Sequence, residues 1–197
     1  MKKVFVFSVL IFSSIVSFAQ NKEEEEVERG FKKENVFVGS GINLGFFNGF
    51  ILGLNPEIGY SLNKFIDVGV ATNFSYITQN DQFAPISYRQ LVLGVGPFVR
   101  VWPVNMIFLG GQFEYNNISY SEKNNGTITY KENRSAPSLL VGGGYGNRLV
   151  GRSQFYTSIM VDVLKDENSP YVDQFNRLLP VFRTTFTFYL RPKNQRR

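Results

Sequence analysis

Glu57, Asp67, Arg100, Glu114, Asp162 and Arg183 offer the most chemistry in this sequence, and their spacing puts all six on one face of a series of strand-like segments. Neighbouring carboxylates can serve as general acid and base when their surroundings separate their pKa values. Arginines on the same face change that expectation, because buried acids that meet guanidinium groups are ordinarily structural partners. The composition narrows the chemistry further. The 197-residue chain has no cysteine and no histidine. It therefore has no thiol nucleophile, no disulfide and no cysteine-ligated metal, and it lacks the commonest general base. We expect no catalytic, cofactor-binding or metal-ligating residue, and read the four acids and two arginines as a structural charge network that closes a protein interior.

Alternation of apolar and small or polar residues is what must position them. The hairpin 88–115, turning at Pro103-Val104-Asn105, shows it best. Leu91, Leu93, Val95, Val99 and Val101 take every second place in its first arm, with Gln90, Gly94, Gly96 and Arg100 between them; the second arm sets Ile107, Leu109 and Phe113 against Gly110, Gln112 and Glu114. Period two over this length is a strand signal. The same pattern marks 36–46, 52–60, 65–76, 138–147, 154–163 and 181–190, which makes eight segments. Glu57, Asp67, Asp162 and Arg183 fall on the Gly and Gln parity of their own segments. Pro56 and Pro97 interrupt two segments, each removing a ladder donor, and are read as sites of β-bulges.

Connections between the segments alternate in length. Those at 61–64, 102–105 and 148–153 are tight, whereas 77–87, 116–137 and 164–180 are long, and the first, 47–51, is barely longer than a turn. Short turns at one end and long loops at the other characterise outer-membrane barrels, and an even strand number returns both termini to the same side. The loop 116–137 has order of its own. Ile118, Tyr120, Ile128 and Tyr130 flank Asn124-Asn125-Gly126, so a three-residue turn is expected to pair Tyr120 with Tyr130, and Leu109 with Val141, in a hairpin that continues above the membrane. Tyr120, Asn124, Asn125, Gly126 and Tyr130 are accordingly the loop residues expected to meet a partner.

The ends of the chain carry different signals. Lys2-Lys3, the apolar run 4–16 and Ser17-Phe18-Ala19 read as a secretory signal peptide, 1–19, cleaved before Gln20. An acidic leader, 20–35, contains Glu23-Glu24-Glu25-Glu26 and is expected to be solvated. The barrel is assigned to 36–190 and a basic tail to 191–197. The formal net charge of +5 is too mild and too scattered for a nucleic-acid partner.

A secreted, lipocalin-like barrel has the same alternation turned inside out. Charge placement separates the two: the apolar faces of the eight segments hold no charge, and the lysines after the signal peptide sit in leader, turns, loops and tail. Lipid demands that arrangement, since Lys or Arg on a lipid face costs about 2–4 kcal/mol near the midplane. Aromatics at strand ends, Phe46, Tyr60, Phe65, Tyr76, Tyr88, Trp102, Tyr115 and Phe188, are placed as interface girdles.

Signal peptide, eight alternating segments, tight turns at one end, a Gly-rich inner face and aromatic strand ends together resemble the small outer-membrane β-barrel proteins of Gram-negative bacteria, of the OmpX and OmpA-transmembrane type. The abundance of Gly, Asn and Phe and the Gln after the cleavage site are most similar to porin-family barrels that include PorT-like secretion accessories. One departure is that Phe188-Tyr189-Leu190 is followed by 191–197, whereas family members often end on an aromatic residue.

The resemblance implies an all-β, eight-stranded antiparallel up-and-down transmembrane barrel in the cell outer membrane. Enzymatic members of such families share a catalytic histidine, which this chain lacks. Three roles follow: envelope structure or surface interaction through the loops, an accessory subunit of a secretion-type complex held through leader and tail, or a narrow channel for ions or small solutes. Expected partners are outer-membrane lipid and a protein at the loops, leader or tail.

Overall fold

The computed structural model describes residues 31–45, 49–80, 86–124, 127–172 and 177–190. All but Phe31 belong to the unit Lys32–Arg197. The signal peptide, residues 20–30 of the acidic leader, Phe46, Asn125, Gly126 and the basic tail lie outside the described residues.

Eight strands follow in chain order: β1 (Val36–Gly45), β2 (Gly49–Ser61), β3 (Ile66–Asn80), β4 (Ile86–Val104), β5 (Ile107–Asn124), β6 (Thr127–Gly146), β7 (Gln154–Asp162) and β8 (Val181–Tyr189). Each pairs antiparallel with the next, and β1 pairs with β8 from Phe37↔Tyr189 to Ile42↔Thr184, so the sheet closes on itself. Closure leaves no barrel-wall edge. Both ends of the barrel chain, Val36 and Tyr189, lie at what we term the near end, with the connections 62–65, 105–106 and 147–153.

Alternation sorts the side chains as the sequence implies. Ile58, Val70, Phe74, Val99, Leu109, Ile159 and Phe186 point outward and are exposed, and the inward positions between them hold the buried polar residues. Glycine on the inner face allows the wall to curve tightly. A Cβ on Gly96 would lie 1.9 Å from the Phe113 carbonyl oxygen, and one on Gly142 2.1 Å from that of Ile159. Apolar groups also fill the lumen in small clusters: Phe37, Ala71, Phe98 and Tyr189; Trp102, Phe108 and Tyr156; Leu140, Met160 and Val181; Val92, Ile118 and Ala136.

Four expectations need correction. The β5–β6 register is displaced by two residues: Tyr120 faces Glu132, Tyr130 faces Glu122, and Leu109 faces Gly143. A slip of two keeps every side chain on its own face, so hydrophobic patterning cannot detect it. Pro56 and Pro97 mark no bulge, because the register on either side of each is unchanged, as in Leu54↔Phe74 followed by Glu57↔Ala71 and in Val95↔Tyr115 followed by Phe98↔Gln112. The register shifts fall elsewhere, between Val101 and Val104 and between Glu122 and Lys123.

Trp102, assigned to the interface girdle, is 1% exposed inside the barrel, as its parity with Arg100 requires, and Tyr88, assigned there too, shares the inward parity of Val92. Finally, strand continues through much of 77–87 as well as through the hairpin expected in 116–137. The protrusion is therefore wider than a hairpin, with β4, β5 and β6 of 19, 18 and 20 residues against 9 each for β7 and β8.

Candidate functional site

The near end of the lumen is closed by a residue that no strand supplies. Arg148, in the β6–β7 connection, is 2% exposed and directs Nη1 to Asp67 Oδ2 at 2.7 Å. Its Nη2 donates to the Asn63 carbonyl at 2.8 Å and its backbone N–H to the Asn105 carbonyl at 2.8 Å, so one residue ties together all three near-end connections. Asp67 also accepts from Trp102 Nε1 at 2.9 Å and from Ser61 Oγ at 2.6 Å, and the Ser61 hydroxyl lies 2.8 Å from that of Tyr189.

A second layer surrounds Glu57. Both of its oxygens accept from the Arg100 guanidinium and from the Tyr156 hydroxyl. The guanidinium lies between the rings of Phe98 and Tyr156, 4.0 and 4.6 Å from their centroids. A carboxylate so engaged, with bidentate arginine and a phenol, is held as a structural ion pair.

The third layer is built on Glu114. Arg183 Nη2 donates to its Oε1 at 2.9 Å, Gln112 Nε2 donates to the same oxygen at 2.8 Å, and Tyr171 donates to Oε2 at 2.5 Å. Tyr171 belongs to the β7–β8 connection, which folds into the far mouth of the barrel. Burial first, and Glu114 beside it second, push its phenol well above the ordinary value, so it stays a donor. Asn73 Nδ2 donates to the same hydroxyl at 2.8 Å and its Oδ1 accepts from Asn55 at 3.1 Å, extending the network across to β2 and β3. Between the second and third layers a cavity of about 20 Å³ remains. That is room for one water.

The six charged residues singled out from sequence are thus all inward, but they pair unequally. Glu57 meets Arg100 and Glu114 meets Arg183. Asp67 finds Arg148, which sequence reading missed. Asp162 meets no arginine among the described residues. Its oxygens accept from the Leu139 and Leu164 amides at 2.9 and 3.1 Å and from Ser169 Oγ at 2.6 Å, which anchors the β7–β8 connection at the mouth. No described group of three or more His, Cys, Asp or Glu is arranged to hold a metal.

Beyond the mouth, the inward face of β4–β6 continues as an open sheet. Tyr88 and Tyr120 stack with centroids 6.3 Å apart, and Tyr120 meets Tyr130 edge-on at 6.3 Å. The two tyrosines expected to pair directly are therefore diagonal neighbours. The Arg134 guanidinium lies 5.8 Å from the Tyr120 ring centre, and Tyr130 donates to Glu132 Oε2 at 3.1 Å. Asn124 pairs with Thr127 at the tip.

A closed ring of eight next-neighbour strands, apolar outside and polar within, decides the architecture. It is an all-β, eight-stranded antiparallel up-and-down barrel. No family model and no curated protein matches the chain. Among solved structures the chain is similar to the N-terminal β-barrel domain of Pseudomonas aeruginosa OprF, at 9% identity and TM-score 0.42 over 78% of this chain and 94% of that one. It is also similar to Ail, the attachment invasion locus protein of Yersinia pestis. A complex of Ail with the heparin analogue sucrose octasulfate gives 15% identity and TM-score 0.40 over 77% and 92%. A second Ail structure gives 17% and 0.40 over 77% and 91%.

Proposed function

We propose that this barrel spans the outer membrane, does no chemistry, and acts at the cell surface through the sheet that β4, β5 and β6 carry beyond the barrel wall. The near end is then periplasmic and the far end external. The outward apolar belt supports the membrane assignment, since contiguous exposure on this scale is foreign to a soluble monomer's surface. No described helix is long and apolar enough to cross a membrane, and a barrel crosses with its strands instead.

The observation that carries the surface role is the contrast between a filled lumen and a long extension. Arg148 closes one end, Tyr171 and Ser169 the other, and each of the three salt-bridged carboxylates between them is held by an arginine and further donors. That filling speaks against the channel reading, and among the described residues every charged lumen acid is held by hydrogen bonds or an arginine. Protein refolded into planar bilayers is expected to give no conductance steps. Trypsin added to sealed vesicles should cut the exposed Lys131 of outward-facing copies while sparing the barrel. Regular steps would replace the surface role with transport, and protection of Lys131 would remove the exposed extension on which that role rests.

A further inference from the structure

Among the described residues the extension has one unpaired edge. β6 pairs with β5 along nearly its whole length but with β7 only from Leu140↔Asp162 onward, so residues 127–138 present one side to solvent. Which backbone groups face that side follows from Leu139. Its N–H donates to Asp162 Oδ1 and its carbonyl accepts from the Val163 N–H at 2.9 Å, both on the β7 side. Alternation carries that side to Pro137, Ser135, Asn133 and Lys131. Pro137, which has no N–H, ends the donor row. At the other end the register jumps from Glu122↔Tyr130 to Lys123↔Ile128, leaving Thr129 as an extra, bulged residue that bends the strand. The uninterrupted edge is therefore 130–136, and its centre is Asn133.

We propose that this edge pairs antiparallel with the same edge of a second copy, centred on Asn133, joining barrels in two facing membranes. The proposal rests on the surface role just given. In this register each copy's bulge lies opposite the other's Pro137, so the two unbroken windows coincide. Asn133 bonds to its equivalent and Lys131 to Ser135 in both directions, giving about six backbone hydrogen bonds.

The pairs between these bonded ones are Glu132 with Arg134 of the second copy, twice. Non-bonded pairs bring side chains closest, so opposite charges there are favoured. Within one chain neither residue has an ion-pair partner among the described residues. Arg134 rests against Tyr120 with its Nε unpartnered, and Glu132 accepts only from Tyr130. Moving the register by two residues sets Glu132 against Glu132 in one direction and Arg134 against Arg134 in the other.

Membrane geometry follows from symmetry. Equivalent strands run antiparallel only about a two-fold axis perpendicular to them. Barrel strands tilt roughly 35–45° from the membrane normal, so copies inserted the same way in one membrane keep both strands pointing outward. The antiparallel partner is inverted and sits in the membrane opposite.

The test uses the full mature chain in phosphatidylcholine vesicles, with clustering followed by light scattering and by mixing of two fluorescent populations. Wild-type vesicles should cluster. Glu132→Arg and Arg134→Glu should each slow clustering roughly tenfold, because two attractive pairs become two repulsive ones. Vesicles carrying Glu132→Arg should cluster with vesicles carrying Arg134→Glu, and the double exchange should cluster with itself. Wild-type vesicles that stay dispersed, or single variants that cluster as wild type does, overturn the pairing. Flotation of the same samples separates the two failures: protein that does not float with lipid removes the membrane reading itself, whereas protein that floats without clustering removes the pairing alone.

Discussion

Arg148 Nη1 and Asp67 Oδ2 lie 2.7 Å apart at the near end of the barrel, 81 residues apart in sequence and with both side chains 1% exposed. Removing the arginine strands a buried carboxylate. We expect Arg148→Ala to lower stability by about 3–5 kcal/mol and Asp67→Asn to recover part of that loss in the double variant. Trp102, the chain's single tryptophan, donates to the same carboxylate, so its fluorescence during urea unfolding in detergent reads the latch directly.

The β7–β8 connection is held at the mouth through the Tyr171 phenol. Because burial raises its pKa, the protonated form belongs to the folded state. Its contribution is complete below the ordinary phenol value of about 10 and is lost as pH rises through the higher folded value. Cleavage of this connection by an alkaline protease should accelerate above that point in the wild type. In Tyr171→Phe it should be fast already at pH 8 and insensitive to further rise.

Gly96 on β4 lies against β5. A methyl group there would overlap the Phe113 carbonyl at 1.9 Å, and backbone must move to admit it. Gly96→Ala is expected to cost about 1–3 kcal/mol, read as a lower urea midpoint of the folded band in unheated gels. Gly111, where an added Cβ would lie 3.9 Å from the Leu140 carbonyl oxygen, should tolerate alanine.

Val99 is exposed, outward and near the middle of β4. Val99→Arg should reduce folding stability in bilayers by about 2–4 kcal/mol. The equivalent change at exposed Ser135, beyond the barrel wall, should have little effect on the same equilibrium titration.

Much of the wall was legible because period two survives wherever one face meets a different solvent from the other. Val36–Gly45 and Val181–Tyr189 were placed within a residue or two on that basis alone. Register was not legible, since Tyr120 keeps its face whether it opposes Tyr130 or Glu132. Inward apolar residues such as Val92, Phe98 and Ile118 interrupt no charge pattern and passed unnoticed, although their parity with Gly94, Arg100 and Asn116 was available. Trp102 was misread for the same reason. Arg148, Ser169 and Tyr171 lie in connections without periodicity, and only the tertiary fold returns them to the lumen.

The most direct measurement uses the absence of cysteine from the chain. A single Val99→Cys variant, labelled with a small fluorophore and reconstituted in bilayers, should be quenched by lipids brominated at mid-chain and shielded from aqueous iodide, while a label at Lys131→Cys shows the reverse. Iodide quenching at Val99 without quenching by brominated lipid would contradict a membrane-spanning barrel.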